Sequence, residues 1–135
     1  MTPDEAFAAI ALAAVACDGT LDHDEARSLR GQLERRTPYV KRSEESMGRL
    51  FDGLLDRLRN GGWRALVAEA IPALSREQQE TALAMAAQLV HCDRIVTEDE
   101  VELLQAMAEH MDLAAGRAEL ILEVIAVLNR DSLAR

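Results

Sequence analysis

A chain of 135 residues, 49% hydrophobic and only 3% aromatic, is long enough for one domain with a buried core. Rich in Ala, Leu, Glu and Arg and poor in β-branched runs, it reads as all-α, a single domain over residues 1–135. The formal charge of −9 divides into −2 for residues 1–60 and −7 for residues 61–135, which argues against nucleic acid and anionic membranes as partners.

Such a field attracts cations and basic protein surfaces, or simply keeps the protein soluble. The first five residues carry two acidic and no basic side chains, and the apolar run at 6–16 is too short to span a bilayer and lacks a signal peptide's basic start. With two cysteines and no export signal, the expected location is the reducing cytoplasm.

In chain order, Thr2-Pro3-Asp4-Glu5 opens a first helix: a Thr cap, Pro at the first position and Glu three after the cap. Phe7, Ile10, Ala11, Ala14 and Val15 line it, and Gly19 breaks the chain beyond it. Asp22 with Glu25 has capping-box spacing for a second helix carrying Ala26, Leu29 and Leu33, ending near Thr37-Pro38. Met47, Leu50, Phe51, Leu54, Leu55 and Leu58 follow helical spacing to a stop at Asn60-Gly61-Gly62. Trp63, Leu66, Val67, Ala70 and Ile71 predict a short fourth helix.

Ser75 with Gln78 starts a fifth helix, apolar nearly all round from 82 to 90 and therefore expected to be central. Thr97 with Glu100 opens a sixth, with Val101, Leu104, Met107 and Met111 facing inward and His110 on the surface. A last helix carries Leu120, Ile121, Val124, Ile125 and Leu128. The expectation is a bundle of about seven helices with short connections. One stretch departs in composition: residues 27–59 hold nine of the fifteen basic side chains.

One nine-residue pattern occurs twice. Cys17-Asp18-Gly19-Thr20-Leu21-Asp22-His23-Asp24-Glu25 aligns with Cys92-Asp93-Arg94-Ile95-Val96-Thr97-Glu98-Asp99-Glu100, at an offset of 75. Cys, Asp, an apolar residue, Asp and Glu recur in register, the mark of a duplicated unit. A pseudo-twofold would set the two acidic junctions side by side at one end of the bundle.

Hard cations need several converging oxygens. Asp18, Glu25, Asp93 and Glu100 are the candidate ligands of a divalent cation of unknown identity, with Asp22, Asp24, Glu98 and Asp99 as secondary ones. The first copy looks like the second half of a calcium loop. That match fails, because its first two ligand positions fall on Ala14 and Ala16 and Arg94 replaces the glycine of the second copy.

The competing reading is helix-start chemistry: Asp22 and Thr97 as caps, Glu25 and Glu100 closing capping boxes, Asp18 and Asp93 in Asx turns. A third, weaker one is zinc held by Cys17, His23, His91 and Cys92, which lack the usual close ligand spacing; buried thiols acting as small hydrophobes are the alternative. No nucleophile–base spacing and no phosphate-binding loop supports an enzyme.

The Ala-rich helix followed by Ala16-Cys17-Asp18-Gly19-Thr20-Leu21 through Glu25, then His91-Cys92-Asp93-Arg94-Ile95-Val96 through Glu100, resembles the tellurite-resistance TerB-like family. The segment from Met107 to Leu113, ending His-Met-Asp-Leu, is similar to the close of that family's sixth helix. The resemblance covers nearly the whole chain. It implies a bacterial, seven-helix duplicated domain linked to tellurite and other chemical-stress resistance, or found in DnaJ-related co-chaperones. Such a domain would bind metal through Asp18, Glu25, Asp93 and Glu100 and act as a sensing or interaction module rather than an enzyme. Cysteines in place of alanines, and Arg94 in place of glycine, depart from the family pattern.

Two functional expectations follow. One is a metal-binding accessory domain; the other is a metal-free protein–protein interaction module. In either case the chain would be a monomer or weak homodimer with a protein partner of unknown identity.

Overall fold

Four helices begin at capping boxes closed in both directions, on Thr2/Glu5, Asp22/Glu25, Ser75/Gln78 and Thr97/Glu100. In each, the cap side chain accepts from the backbone N–H three residues on, and the Glu or Gln there accepts from the cap N–H. Ser43 caps a further helix, accepting from Ser46 N–H at 3.0 Å. Each such cap is worth about 1 kcal/mol.

The computed structural model describes residues 1–92 and 95–133. Among them the chain forms six α-helices: α1 (Pro3–Val15), α2 (His23–Glu34), α3 (Glu44–Ala70), α4 (Arg76–His91), α5 (Glu98–His110) and α6 (Arg117–Leu128). Two 3₁₀ turns, Tyr39–Lys41 and Ile71–Ala73, flank α3. No described residue is in a strand.

The sequence expectation of about seven helices counts separately the two segments on either side of Gly62, and the backbone does leave helical geometry there. The expected third and fourth helices are one element, α3, interrupted at Gly62, whose φ of 79° and ψ of 167° lie outside helical geometry. Only glycine takes that backbone freely, so the expected stop falls at the last residue of Asn60-Gly61-Gly62. Arg57 and Glu69, 2.7 Å apart, bridge the two halves of α3.

Helix α1 is the centre of the bundle. Ala6, Ala8, Ala9, Ile10, Ala11, Leu12, Ala13 and Ala14 are all buried, so every face of the helix is covered. It packs against α3 and α4, and α4 in turn supports α6. On α4, Ala82, Leu83, Ala86, Ala87 and Val90 are buried, in keeping with the apolar run read as a central helix. Gln79 is buried too, and its amide bonds to the carbonyl of Leu74 at 3.1 Å and to the N–H of Asp112 at 2.8 Å.

One inward residue was misplaced by periodicity. Val101 is exposed, while Leu103 is fully buried beside Leu104, Met107 and Met111. At 100° per residue Val101 lies about 120° round the helix from Met107, on the solvent side of the face that packs. His110 is exposed, as expected.

Tyr39, 2% exposed, donates its hydroxyl to the carbonyl of Asp4 beside the Arg42–Asp4 ion pair at 3.0 Å. Burial, helped by the Asp4 charge, pushes the Tyr39 phenol well above its usual 10.0. A raised value in the folded state means that the unfolded chain releases this proton first. Stability is therefore constant with respect to this group below about pH 10 and falls above it. We expect Tyr39→Phe to cost about 1 kcal/mol at neutral pH for the lost bond and to flatten the alkaline loss in a urea titration from pH 9 to 11.

Candidate functional site

The first junction lies between α1 and α2. Gly19, at φ 85°, turns the chain back, and its N–H donates to the carbonyl of Ala16 at 2.8 Å. Asp18 Oδ1 accepts from the Thr20 N–H at 2.9 Å and from its hydroxyl at 2.8 Å, an Asx turn. Those bonds hold the Asp18 carboxyl below its usual value. Arg59 of α3 donates to the Gly19 carbonyl at 3.2 Å, fastening the junction to the bundle. Asp22 Oδ1 accepts from Glu25 N–H at 2.8 Å, and Glu25 Oε1 accepts from Asp22 N–H at 3.2 Å.

The second junction enters α5 through Thr97 and Glu100. Glu100 Oε1 accepts from the Thr97 N–H at 3.1 Å and from its hydroxyl at 2.9 Å. Asp93 and Arg94 lie outside the described residues, so the placement expected for Asp93 as a ligand and for Arg94 beside it concerns positions on which the structure is silent.

The two junctions meet. A cleft of about 210 Å³ is lined by Asp24 and Glu25 from the first copy, by Ser28 one turn further along α2, and by Cys92 and Glu100 from the second copy, over an apolar floor that includes Val15 and Leu89. Burial in this cleft raises the Glu25 carboxyl above its usual value; the Asp22 N–H opposes the shift, and the charges of Asp22 and Asp18 add to it. The Cys17 thiol is raised chiefly by burial and then by Asp18, Glu100 and Asp99, so acidic groups of both copies reach the same thiol.

The arrangement is not a closed coordination shell. Among the described residues no group of three or more His, Cys, Asp and Glu side chains converges as metal ligands. Glu25 and Glu100 share the cleft with Asp24, whereas Asp18 is turned to Thr20. Asp22 and Thr97 serve as caps, and Glu98 and Asp99 are exposed in the first turn of α5.

The zinc set of Cys17, His23, His91 and Cys92 is not gathered either. Cys17 is half-buried, Cys92 and His23 are exposed, and Cys92 faces the acidic cleft.

Two groups here escaped the sequence reading: Ser28, whose hydroxyl-bearing side chain reaches the cleft from α2, and Arg59, the latch on Gly19. The one-turn spacing of Asp24 and Ser28 was the available signal for the former; nothing local signals the latter.

A roomier groove of about 550 Å³ lies elsewhere, between the start of α1 and residues 36–39, with Asp4, Phe7, Arg36 and Tyr39 on its walls. Two of its charged side chains are engaged within the chain: Asp4 with Arg42, and Arg36 over the Phe7 ring at 5.8 Å. Nothing in it converges on a ligand.

Searches of protein-family models, curated proteins and solved structures find no match to this chain. No helix among the described residues is long and apolar enough to cross a membrane.

Proposed function

We propose that this chain is a TerB-like accessory domain that binds a divalent cation in the cleft between its two acidic junctions, in the setting of tellurite or related chemical stress. One observation carries the reading. Glu25 and Glu100, equivalent members of motifs 75 residues apart, line one cleft. Each uses one carboxylate oxygen in its capping box, and the other has no hydrogen bond or ion pair among the described residues. Asp24 adds a third carboxylate to the wall.

A cation there would offset the repulsion among Asp18, Asp22 and Glu25 and the burial that together disfavour an ionised Glu25. Water would complete its coordination, as is usual for hard cations at incomplete protein sites.

Glutamine preserves a capping box, so the caps and the cation can be separated. In Glu25→Gln/Glu100→Gln we expect an unchanged or slightly raised metal-free melting temperature, because Glu25 loses a disfavoured charge. The sign follows from its raised pKa: the proton on Glu25 favours folding below the usual value of 4.5, and that benefit is lost as pH rises through the higher folded value. The same variant should lose any stabilisation by divalent cations.

A second reading has its own support. Asp18, Glu25 and Glu100, the described primary candidates, are each already bonded to a local N–H or hydroxyl. A metal-free interaction module needs nothing more. It predicts a melting temperature indifferent to calcium, magnesium, manganese and zinc, and a loss of about 1 kcal/mol in Asp18→Asn whatever the cation.

A further inference from the structure

Residues 27–59 hold nine of the fifteen basic side chains, and the fold engages six of those nine. Arg30, Arg42, Arg49 and Arg57 form ion pairs, Arg36 lies over the Phe7 ring and Arg59 donates to the Gly19 carbonyl. Arg27, Arg35 and Lys41 are exposed, and their side chains have no ion pair, hydrogen bond or ring contact among the described residues. The chain has 24 carboxylates to offer, yet two of these three cations flank one groove without a partner.

That groove runs along α2, encloses about 270 Å³ and is lined by Arg27, Ser28, Gly31, Gln32 and Arg35. Arg27 and Arg35 are separated by about 12 Å along the helix and about 80° around it. Gly31 falls midway in both, so no side chain stands between the two guanidinium groups at that position. A Cβ added there would meet nothing within 4 Å. Among the described residues the lining holds no carboxylate and no large apolar side chain. Two guanidinium forks, a hydroxyl and a carboxamide bring N–H and O–H donors to one space, and such forks bind oxyanions through paired bonds.

Charge and the lining decide the occupant. Two positive charges match a phosphoryl group, which carries about −1.5 to −2 at neutral pH. The net charge of −9 repels an extended polyanion such as nucleic acid, but a single small dianion meets only the local groove. Without an apolar wall, the groove offers nothing to the residues that flank a phosphorylated side chain in a peptide. We infer that the α2 groove binds the phosphoryl group of a small molecule, held by Arg27 and Arg35 with Ser28 and Gln32 as further donors. Ser28 also lines the acidic cleft, but the inference does not rest on a cation there.

A titration of the full chain with inorganic phosphate, at fixed ionic strength and without divalent cations, followed by amide NMR shifts, tests this. Millimolar phosphate should move the signals of residues 27–35 along a saturable curve, and equivalent chloride should not. Arg27→Gln with Arg35→Gln, both at exposed sites, should weaken binding at least about tenfold, as expected for lost charge-assisted bonds. Gly31→Leu keeps both charges and fills the groove, and it should weaken binding to a similar degree. Shifts that are absent, unsaturable or scattered over the chain overturn the proposal. Binding unchanged in Arg27→Gln/Arg35→Gln overturns the ligand assignment, and binding unchanged in Gly31→Leu overturns the groove. A phosphoserine peptide that binds more than about tenfold tighter than inorganic phosphate overturns the small-molecule assignment. All of these results are independent of the cation reading, since no cation is present.

Discussion

Leu83→Ala should lower the free energy of unfolding by about 2–5 kcal/mol, as cavity-forming truncations of fully buried leucines do. Leu83 sits at 0% exposure in the middle of α4, the helix that α1, α5 and α6 all touch. Truncation removes its apolar area from the core and leaves a void that three helices must close around together. Against a typical total of about 5–15 kcal/mol, the loss takes a large share of the stability. Urea unfolding followed by circular dichroism measures it. A shift of the midpoint with an unchanged slope is the expected form, since the amount of surface exposed on unfolding is nearly the same. A cost below about 1 kcal/mol would mean that α4 is not the central support described.

Ala9→Leu should be nearly as damaging, at about 1–3 kcal/mol, for the opposite reason. Ala9 is fully buried on a helix that is covered on every side. Its neighbours Ala6, Ala8, Ala13 and Ala14 are small as well, and the small side chains let α3 and α4 approach α1 closely. Three extra heavy atoms cannot be placed there without moving a helix axis. Leucine is as good a helix former as any residue but alanine, so propensity cannot be the source of the loss. The same substitution at an exposed site on α3, such as Asp52→Leu, should change stability by only a few tenths of a kcal/mol.

What was legible in the sequence was the local chemistry. A capping box needs two side chains three residues apart, so Thr2/Glu5, Asp22/Glu25, Ser75/Gln78 and Thr97/Glu100 carry their own structural instruction. A helix apolar on all sides has only one place to go, and α1 and α4 are there. The glycine pair at 61–62 announced a break, and the backbone leaves helical geometry at Gly62.

Facing was harder to read. Val101 shares a three-residue spacing with Leu104 and Met107, but three-residue steps drift around a helix, and the buried face settles on Leu103 instead. Helix α6 shows a different limit. Its residues are apolar enough for burial, yet it lies at the margin of the bundle with neighbours on one side only, so half of that apolar surface remains in solvent.

The site divides along the same line. Each acidic residue's local role could be read from spacing, and the caps are formed. Whether Glu25 and Glu100 would meet depended on how α1 packs on α4, a tertiary fact that no local pattern encodes. They do share a cleft, and Asp24 and Cys92 join them there. Asp18 does not enter it, because two donors on Thr20 hold its carboxylate in the turn. Of the four carboxylates read from sequence symmetry, Glu25 and Glu100 thus share the cleft, Asp18 stays in its turn, and Asp93 lies outside the described residues.

The direct test of the cation reading is a thermal unfolding series with calcium, magnesium, manganese and zinc at millimolar concentration, run on the native chain and on Glu25→Gln/Glu100→Gln. A cation held only by the folded state stabilises it by about 2.7 kcal/mol when present at a hundredfold excess over its dissociation constant, a rise of several degrees. We predict such a rise for at least one of these ions with the native chain, and none with the double variant, whose metal-free melting temperature stays at or slightly above the native value. A native chain that no ion stabilises, or a double variant stabilised equally, would contradict the cation site and leave the acidic junctions as helix caps alone.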